Sequence, residues 1–266
     1  MIEIKMKDVS IGYRQSLVVK NMTLEARPGE MLGLVGPNGC GKSTIIKALS
    51  RLIQPQSGNI LVNERNILQM SRIELARIIG VVPQIPLLPS TFTAFDIVLM
   101  GRNPHLGLLQ HEGKKDVAIA WEAMRKTATR PLAQRRIGEL SGGEIQSVVI
   151  ARVLAQQTEA VLLDEPTANL DIGRQIEVLD LIKELCQGNG FTVVIALHDL
   201  NLAAQYCDHL ILIDKGSIHC QGKPDKVITT DNIANVYGSG SYIYEHPLSG
   251  LPVVLPIAGS SKSYTE

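Results

Sequence analysis

Compact runs of apolar residues recur along the chain at intervals that suit a layered domain. Short runs of this kind predict buried strands. They lie at 2–6, Met31–Val35, 59–62, Ile79–Val82, 160–163, 192–197 and 210–214. Helices are predicted between them at 43–52, 144–157 and 172–187. Strands that alternate with helices predict an α/β core with a largely parallel sheet.

From about 92 to 137 the pattern turns helical, and this stretch is predicted to belong to an inserted lobe. One helix, at 116–126, has a usable apolar face. The face consists of Val117, Ile119, Ala120, Ala123 and Met124. The lobe would span about 91–157 and divide a core of about 2–90 and 158–238.

The C-terminal residues have a different pattern. Two short strands, at 241–245 and 253–255, flank the turn sequence 246–250. This arrangement predicts a small hairpin in an extension of 239–258. The last residues, 259–266, have the sequence GSSKSYTE and are predicted to be disordered.

Composition narrows the classes of function. The 266 residues include 26 Lys plus Arg and 26 Asp plus Glu, so the formal net charge is zero. Nucleic-acid binding usually leaves a basic excess, so nucleic acid is not expected as the main partner. No run reaches the roughly 18 apolar residues of a membrane span, and no signal peptide is expected. The four cysteines form no CxxC pair and are expected to be reduced thiols.

A glycine-rich turn after the strand Met31–Val35 fits the phosphate-loop pattern G-x-x-x-x-G-K-[ST]. It consists of Gly36, Pro37, Asn38, Gly39, Cys40, Gly41, Lys42 and Ser43, followed by Thr44. The glycines let backbone N–H groups turn toward a β-phosphate, and the following helix adds a positive dipole end. Lys42 would reach the β- and γ-phosphates, and the Ser43 hydroxyl would bind Mg²⁺.

An apolar strand ends in the carboxylates Asp164 and Glu165. By itself such a pair is often only a strand end at a solvated loop. Ligands bind at the carboxyl edge of parallel sheets, however, and a phosphate loop lies upstream. Asp164 is therefore predicted to hold the Mg²⁺ shell, and Glu165 to orient and deprotonate the attacking water.

A third motif, Leu140-Ser141-Gly142-Gly143-Glu144-Ile145-Gln146, places a Ser N-cap and two glycines at the start of a helix. Such a helix start is a possible anion site, although an ordinary capped helix would explain the motif by itself.

The sequence resembles the ABC transporter ATPase family. Residues 140–146, LSGGEIQ, look like that family's signature motif. The order of motifs also matches, over roughly residues 2–240. Tyr13 matches an aromatic residue that stacks on adenine, and Gln84 matches the Q-loop glutamine. Residues 168–171 match the D-loop, which ends in Asp171, and His198 matches the switch histidine. The resemblance implies a P-loop NTPase core with an antiparallel N-terminal β subdomain and an inserted α-helical signature subdomain.

The resemblance also implies how the chain works. Two copies would dimerise head to tail, with each ATP between the phosphate loop of one copy and the signature helix of the other. Ser141, Gly142 and Gly143 would then bind the γ-phosphate of the nucleotide held by the other copy. Within each copy, His198 would contact the γ-phosphate of the nucleotide held by Lys42, and Gln84 would sense the γ-phosphate through Mg²⁺ or the attacking water. Ser147 departs from the family pattern, which often has Arg there, and this affects only a helix-surface contact.

A narrower resemblance concerns cargo. Residues 94–105 and 246–252 look like stretches of importers for metal chelates: iron–siderophores, haem and cobalamin. The expected partners are integral membrane permease subunits and, indirectly, an extracytoplasmic substrate-binding protein, with the chain at the cytoplasmic face of the membrane.

The alternative functions are a soluble accessory ATPase of the iron–sulfur assembly kind, or an ATPase subunit for another cargo. Repair and translation ATPases fit poorly, because the 84–141 interval is short and only one phosphate loop is present.

Two further expectations concern single segments. Cys40 is predicted to be the most sensitive thiol, because a helix N-terminus and Lys42 both favour the thiolate. The apolar segment 85–89, with Phe92 and Phe95 after it, is predicted to be a partner site. Alternatively, Leu88 and Phe92 fill the seam between the core and the lobe.

Overall fold

The computed structural model describes residues 1–13, 16–107, 109–168, 170–238 and 240–257, which form three sheets and their connecting helices. The elements in chain order are β1 (Ile4–Tyr13), β2 (Ser16–Ala26), β3 (Met31–Val35), α1 (Lys42–Leu49), β4 (Ser57–Val62), β5 (Arg65–Asn66), α2 (Arg72–Ile78), β6 (Ile79–Val82), α3 (Ala94–Leu99), α4 (Lys114–Lys126), α5 (Gly142–Ala155), β7 (Ala160–Asp164), α6 (Ile172–Asn189), β8 (Thr192–Ala196), α7 (Leu200–Tyr206), β9 (His209–Asp214), β10 (Ser217–Gly222), α8 (Pro224–Val227), α9 (Thr230–Tyr237), β11 (Ser241–Glu245) and β12 (Pro252–Pro256).

The central sheet has six strands in the order β10-β9-β3-β8-β7-β6. All neighbours in it are parallel except β10, which pairs antiparallel with β9 at the edge. Every residue of β3, β7 and β8 is buried, as expected for strands that are covered on both faces. The prediction of an α/β core with a mostly parallel sheet is confirmed.

A second sheet, in the order β2-β1-β4-β5, is antiparallel. It confirms the N-terminal β subdomain, but β1 is ten residues long where only 2–6 was predicted as a strand. A β-bulge explains the difference, because the register shifts between Met6 and Val9, and Asp8 has φ 51°. The bulge interrupts the alternation of inward and outward side chains, so the pattern in the sequence stops at Met6 although the strand continues.

The lobe packs α3, α4 and α5 around a separate apolar cluster, which confirms an inserted helical subdomain. Ala120, Ala123 and Met124 are the buried residues of α4. Arg102, itself buried, forms an ion pair of 2.9 Å with Asp116 at the start of that helix. The same guanidinium donates to the carbonyl oxygen of Ala155 at 2.8 Å, and so ties the end of α5 to α4.

The hairpin predicted at the C-terminus is present as β11 and β12, paired from Ser241 opposite Pro256 to Glu245 opposite Pro252. Ile243 and Val254 pack from it against the apolar cluster that covers one face of the central sheet. The segment predicted to be disordered, 259–266, lies outside the described residues.

Candidate nucleotide site

The phosphate loop joins β3, at the centre of the parallel sheet, to α1. Gly41 is the N-cap of α1 with φ 114°, in the left-handed region that favours glycine. Gly36 has φ 148°, and a Cβ atom there would collide with the carbonyl oxygen of Ile213 in β9. These two glycines therefore let the loop turn closely over the sheet and present the N-terminus of α1 to a ligand.

Lys42, the first residue of α1, is buried and folds back over the loop. Its Nζ donates to the carbonyl oxygens of Gly36 at 2.7 Å and Pro37 at 3.2 Å. The ammonium group is thus held above the loop by backbone dipoles, where a phosphate group would meet it.

Ser43 and Asp164 come together at the carboxyl edge of the sheet. Ser43 Oγ donates to Asp164 Oδ1 at 2.9 Å. Burial raises the pKa of Asp164, while the Ser43 hydrogen bond opposes this shift and the neighbouring Glu165 charge adds to it. The result is a hydroxyl and a buried carboxylate side by side, which is the oxygen donor set that a hard divalent cation prefers.

Glu165 is buried and joins two other segments of the site. Its Oε1 lies 2.5 Å from Nε2 of His198, and its Oε2 accepts a hydrogen bond from Nε2 of Gln84. The three residues follow β7, β8 and β6, which are neighbours in the sheet. Glu165 has φ 50°, an uncommon conformation for a non-glycine residue and one found most often at functional positions.

Most of these groups line one cleft with a volume of about 380 Å³. Its lining consists of Val18, Asn38, Gly39, Gly41, Lys42, Ser43, Thr44, Gln84, Glu165 and His198. All but Val18 were predicted from the sequence. Val18 lies in β2, and no motif marked it, because tertiary packing brings this strand next to Gly41 of the phosphate loop.

Nine predicted site residues lie outside this lining. Gly36, Pro37, Cys40 and Asp164 belong to the phosphate loop and the end of β7 described above, and the other five lie farther along the chain or at its surface. Tyr13 is exposed at the end of β1. Ser141 caps α5, where its hydroxyl accepts from the Glu144 N–H at 3.4 Å, and the two glycines after it begin the helix. Asp171 caps α6 by accepting from the Arg174 N–H at 3.0 Å; Asn169, in the same predicted D-loop, lies outside the described residues.

The expectation that Cys40 is a reactive thiolate is wrong. Its side chain belongs to the apolar core below the loop and the residue is only 4% exposed. Burial raises the pKa of the Cys40 thiol, and this effect outweighs the lowering by Lys42 and by the backbone N–H groups of the helix start. Cys40 is part of the apolar core and is not part of the cleft lining, so its side chain does not face the ligand side.

The segment after Gln84, residues 85–95, is called the connector below and contains both exposed and packed residues. Ile85 is exposed and Leu87 is 93% exposed. Leu88 instead packs against both the core cluster and the lobe cluster, so it lies in the seam between them. Phe95 is also packed, with its ring centroid 4.6 Å from that of Trp121 in α4.

Among the residues that the structure describes, no helix is both long enough and apolar enough to cross a membrane. The sequence profile of the family described as ABC transporter matches residues 19–168. The chain is 38% identical over 257 residues to the ferric enterobactin transport ATP-binding protein of Escherichia coli strain K12, covering 97% of this chain and 95% of that one. It is 41% identical over 265 residues to the hemin import ATP-binding protein of Gloeobacter violaceus, covering 96% and 95%.

Solved structures with a similar fold belong to the same family. A transporter assigned to the metal-chelate type, in an inward-facing conformation, superposes with a TM-score of 0.84 at 27% identity, covering 96% of this chain and 97% of that one. A dimeric ATP-binding cassette in a post-hydrolysis state with ADP and phosphate superposes with a TM-score of 0.75 at 28% identity, covering 83% and 98%. The phosphate loop, the carboxylates after β7 and these near full-length matches lead to one conclusion: the chain belongs to the ABC transporter family and is one of its ATP-binding cassettes.

Proposed function

We propose that this chain is the ATP-hydrolysing subunit of an importer that takes up a metal chelate through a separate membrane permease. The observation that carries the hydrolytic part is the position of Glu165, held between Gln84 and His198 at the mouth of the phosphate-loop cleft. A buried carboxylate next to a γ-phosphate position can orient a water molecule and accept its proton.

The groups around Glu165 have complementary roles. Lys42 and the backbone N–H groups of the loop bind the β- and γ-phosphates. Ser43 and Asp164 would hold Mg²⁺, with Gln84 beside them; such an ion, when bound, neutralises charge that develops on the phosphate oxygens. His198 supports the carboxylate of Glu165 and contacts the γ-phosphate. The side chain of His198 is 45% exposed, so it remains accessible from the cleft.

A second copy of the chain would complete the site. Ser141 and Gly142 are exposed at the N-terminus of α5, a 14-residue helix whose first N–H groups can bind a phosphate. Their position outside the cleft fits a head-to-tail homodimer in which they reach the nucleotide held by the other copy. In the same assembly Tyr13 would stack on adenine and Asp171 would lie near the second copy.

The proposed cargo is based on the proteins to which the chain is similar. The relatives with 38% and 41% identity are ATP-binding proteins of ferric enterobactin transport and hemin import, and a third is named for cobalamin import. An iron–siderophore, haem or cobalamin is therefore the proposed substrate class. The chain would bind the permease at the cytoplasmic face of the membrane, and an extracytoplasmic binding protein would supply the substrate. A soluble accessory ATPase has no support among these relatives.

The substitution Glu165→Gln tests the hydrolytic role. It keeps the size of the side chain and removes the base, so the rate of ATP hydrolysis should fall by about 10²–10⁴-fold. Binding of ATP should survive, because Lys42 is unchanged, and an ATP-dependent dimer should appear in size-exclusion chromatography. Glu159→Gln is the matched control, because Glu159 lies just before the same strand and its carboxylate pairs with the N-terminus at the surface. Hydrolysis by Glu165→Gln at the wild-type rate would refute the role.

The importer role is tested by affinity purification of the chain from detergent-solubilised membranes. An integral permease should co-purify, and uptake of a radiolabelled ferric siderophore, haem or cobalamin should be lost when Lys42 is replaced. Recovery of only a soluble scaffold protein would favour the accessory ATPase instead.

A further inference from the structure

A side-chain amide of α7, that of Asn201, binds the backbone of the C-terminal hairpin. Asn201 Oδ1 accepts a hydrogen bond of 2.7 Å from the backbone N–H of Val254, and its Nδ2 donates to the carbonyl oxygen of the same residue at 3.4 Å. The N–H and C=O of one strand residue point to the same side. Asn201 therefore pairs with the edge of β12 that faces away from β11, as another strand would.

Asn201 is three residues after His198, and the segment between them is short and ordered by hydrogen bonds. Asp199 is the N-cap of α7, and its Oδ1 accepts from the N–H groups of Asn201 at 2.7 Å and Leu202 at 3.1 Å. On the other side of His198, the Leu197 N–H donates to the Leu34 carbonyl oxygen at 3.1 Å. The backbone of His198 is thus held between the central sheet and the first turn of α7.

The helix α7 has only seven residues, too few to be stable without tertiary contacts. Its C-terminal end is fixed to α6, because Tyr206 donates to Asp180 at 2.7 Å and Lys183 donates to the Tyr206 carbonyl oxygen at 2.9 Å. Among the described residues, the side-chain hydrogen bonds that join its N-terminal turn to another element are those of the Asn201 amide. Ala203 and Ala204 keep the middle of α7 in the core cluster, so loss of this amide would loosen the first turn of the helix, which adjoins His198.

We propose that Asn201 is a positioning residue for His198, and that the C-terminal hairpin takes part in hydrolysis by holding the first turn of α7 through this amide. The proposal rests on the role of His198 given above. It assigns a function to the hairpin, which lies outside the phosphate-loop cleft.

The substitution Asn201→Ala should lower kcat for ATP hydrolysis, on the order of tenfold, because a shift of about 1 Å in a group near the reacting atoms has effects of this size or larger. KM for ATP should change by less than about twofold, since the phosphate loop is untouched. Val254→Pro should reproduce the effect, because it removes the N–H that faces Asn201 and leaves the other edge of β12 free to pair with β11.

A matched control separates positioning from loss of stability. Asn232 also uses its amide to hold backbone, with Nδ2 donating to the Val227 carbonyl oxygen at 3.0 Å, but it lies in α9. Asn232→Ala should lower the melting temperature and leave kcat unchanged. All rates are expressed per site that binds a fluorescent ATP analogue, so unfolded protein does not count as slow enzyme.

The test is a double-mutant cycle with His198→Ala, measured in single turnover. Asn201→Ala should lower the rate about tenfold in the wild-type chain and less than about twofold when His198 is already absent. An equal effect in both backgrounds, or no effect of Asn201→Ala and Val254→Pro on kcat, overturns the proposal and leaves the role of His198 intact. Wild-type hydrolysis by His198→Ala overturns that role itself, and the positioning proposal with it.

Discussion

The hydroxyl of Ser43 and the carboxylate of Asp164 are joined by a hydrogen bond of 2.9 Å, although 121 residues separate them in the sequence. The contact links the first turn of α1 to the end of β7. It places two oxygen donors at the carboxyl edge of the parallel sheet, where burial disfavours the charged form of Asp164 and raises its pKa. The fold thus buries the side chain of Asp164 at a position where a bound cation would stabilise its charged form.

Asp164→Asn should therefore make the nucleotide-free chain more stable while weakening its affinity for Mg²⁺. The amide can still accept from Ser43, and the buried charge is gone, so the free energy of unfolding should rise by about 1 kcal/mol. Urea unfolding at pH 7 measures this, and ATP hydrolysis should require a higher Mg²⁺ concentration than in the wild type. Asp225→Asn, at an exposed aspartate, should change neither property. A less stable Asp164→Asn chain would contradict the interpretation.

Cys40 should react slowly with maleimide despite its position in the phosphate loop. Its thiol is buried and its pKa is raised, so little thiolate is exposed at neutral pH. Cys220 is only partly buried and should be labelled first. Mass spectrometry after brief labelling should show one adduct in the wild type and in Cys40→Ser, and none in Cys220→Ser. Rapid loss of ATPase activity that Cys40→Ser prevents would show that the loop opens to expose the thiol.

The parts of the site that could be predicted from the sequence are those encoded within a few residues. The phosphate loop and the Asp164–Glu165 pair follow apolar strands directly, and the parallel sheet brings such strand ends together. Burial of Cys40 in the apolar core and the contribution of Val18 from β2 depend on tertiary packing that no local motif encodes. A local rule about helix N-termini therefore gave the wrong pKa direction for Cys40, because desolvation by distant segments is the larger effect.

The stability of the chain should fall when the pH rises above about 10. Burial raises the pKa of Tyr237 to about 12, with a smaller contribution from Cys40, against a usual value of 10.0. The folded chain then keeps a proton that the unfolded chain loses, so the stabilisation is complete below pH 10 and is lost as the pH rises toward 12. Tyr237→Phe should weaken this dependence in urea unfolding between pH 9 and 11. An unchanged slope in Tyr237→Phe would assign the loss of stability to other groups, such as Tyr206, whose pKa is also raised to about 12.

Two adjacent leucines in the connector after Gln84 should behave differently, because the structure puts one at the surface and the other in the seam between core and lobe. Leu88→Ser should lower the free energy of unfolding by about 2 kcal/mol, since it removes apolar contacts with both clusters. Leu87→Ser should change it by less than about 0.5 kcal/mol, since that side chain is 93% exposed.

The same two leucines distinguish the two interpretations of the connector, which either binds the permease or only fills the seam between the core and the lobe. If Leu87 contacts the permease, Leu87→Ser should keep normal basal ATPase activity and melting temperature, yet lose co-purification with the permease and transport. Leu248→Ala, at an equally exposed leucine in the C-terminal hairpin, is the control for exposure alone. Normal transport by Leu87→Ser would mean that the connector only closes the seam through Leu88. The surface for the permease would then lie on another part of the cassette, and the exposed side chains of Ile85 and Leu87 would have no role in coupling.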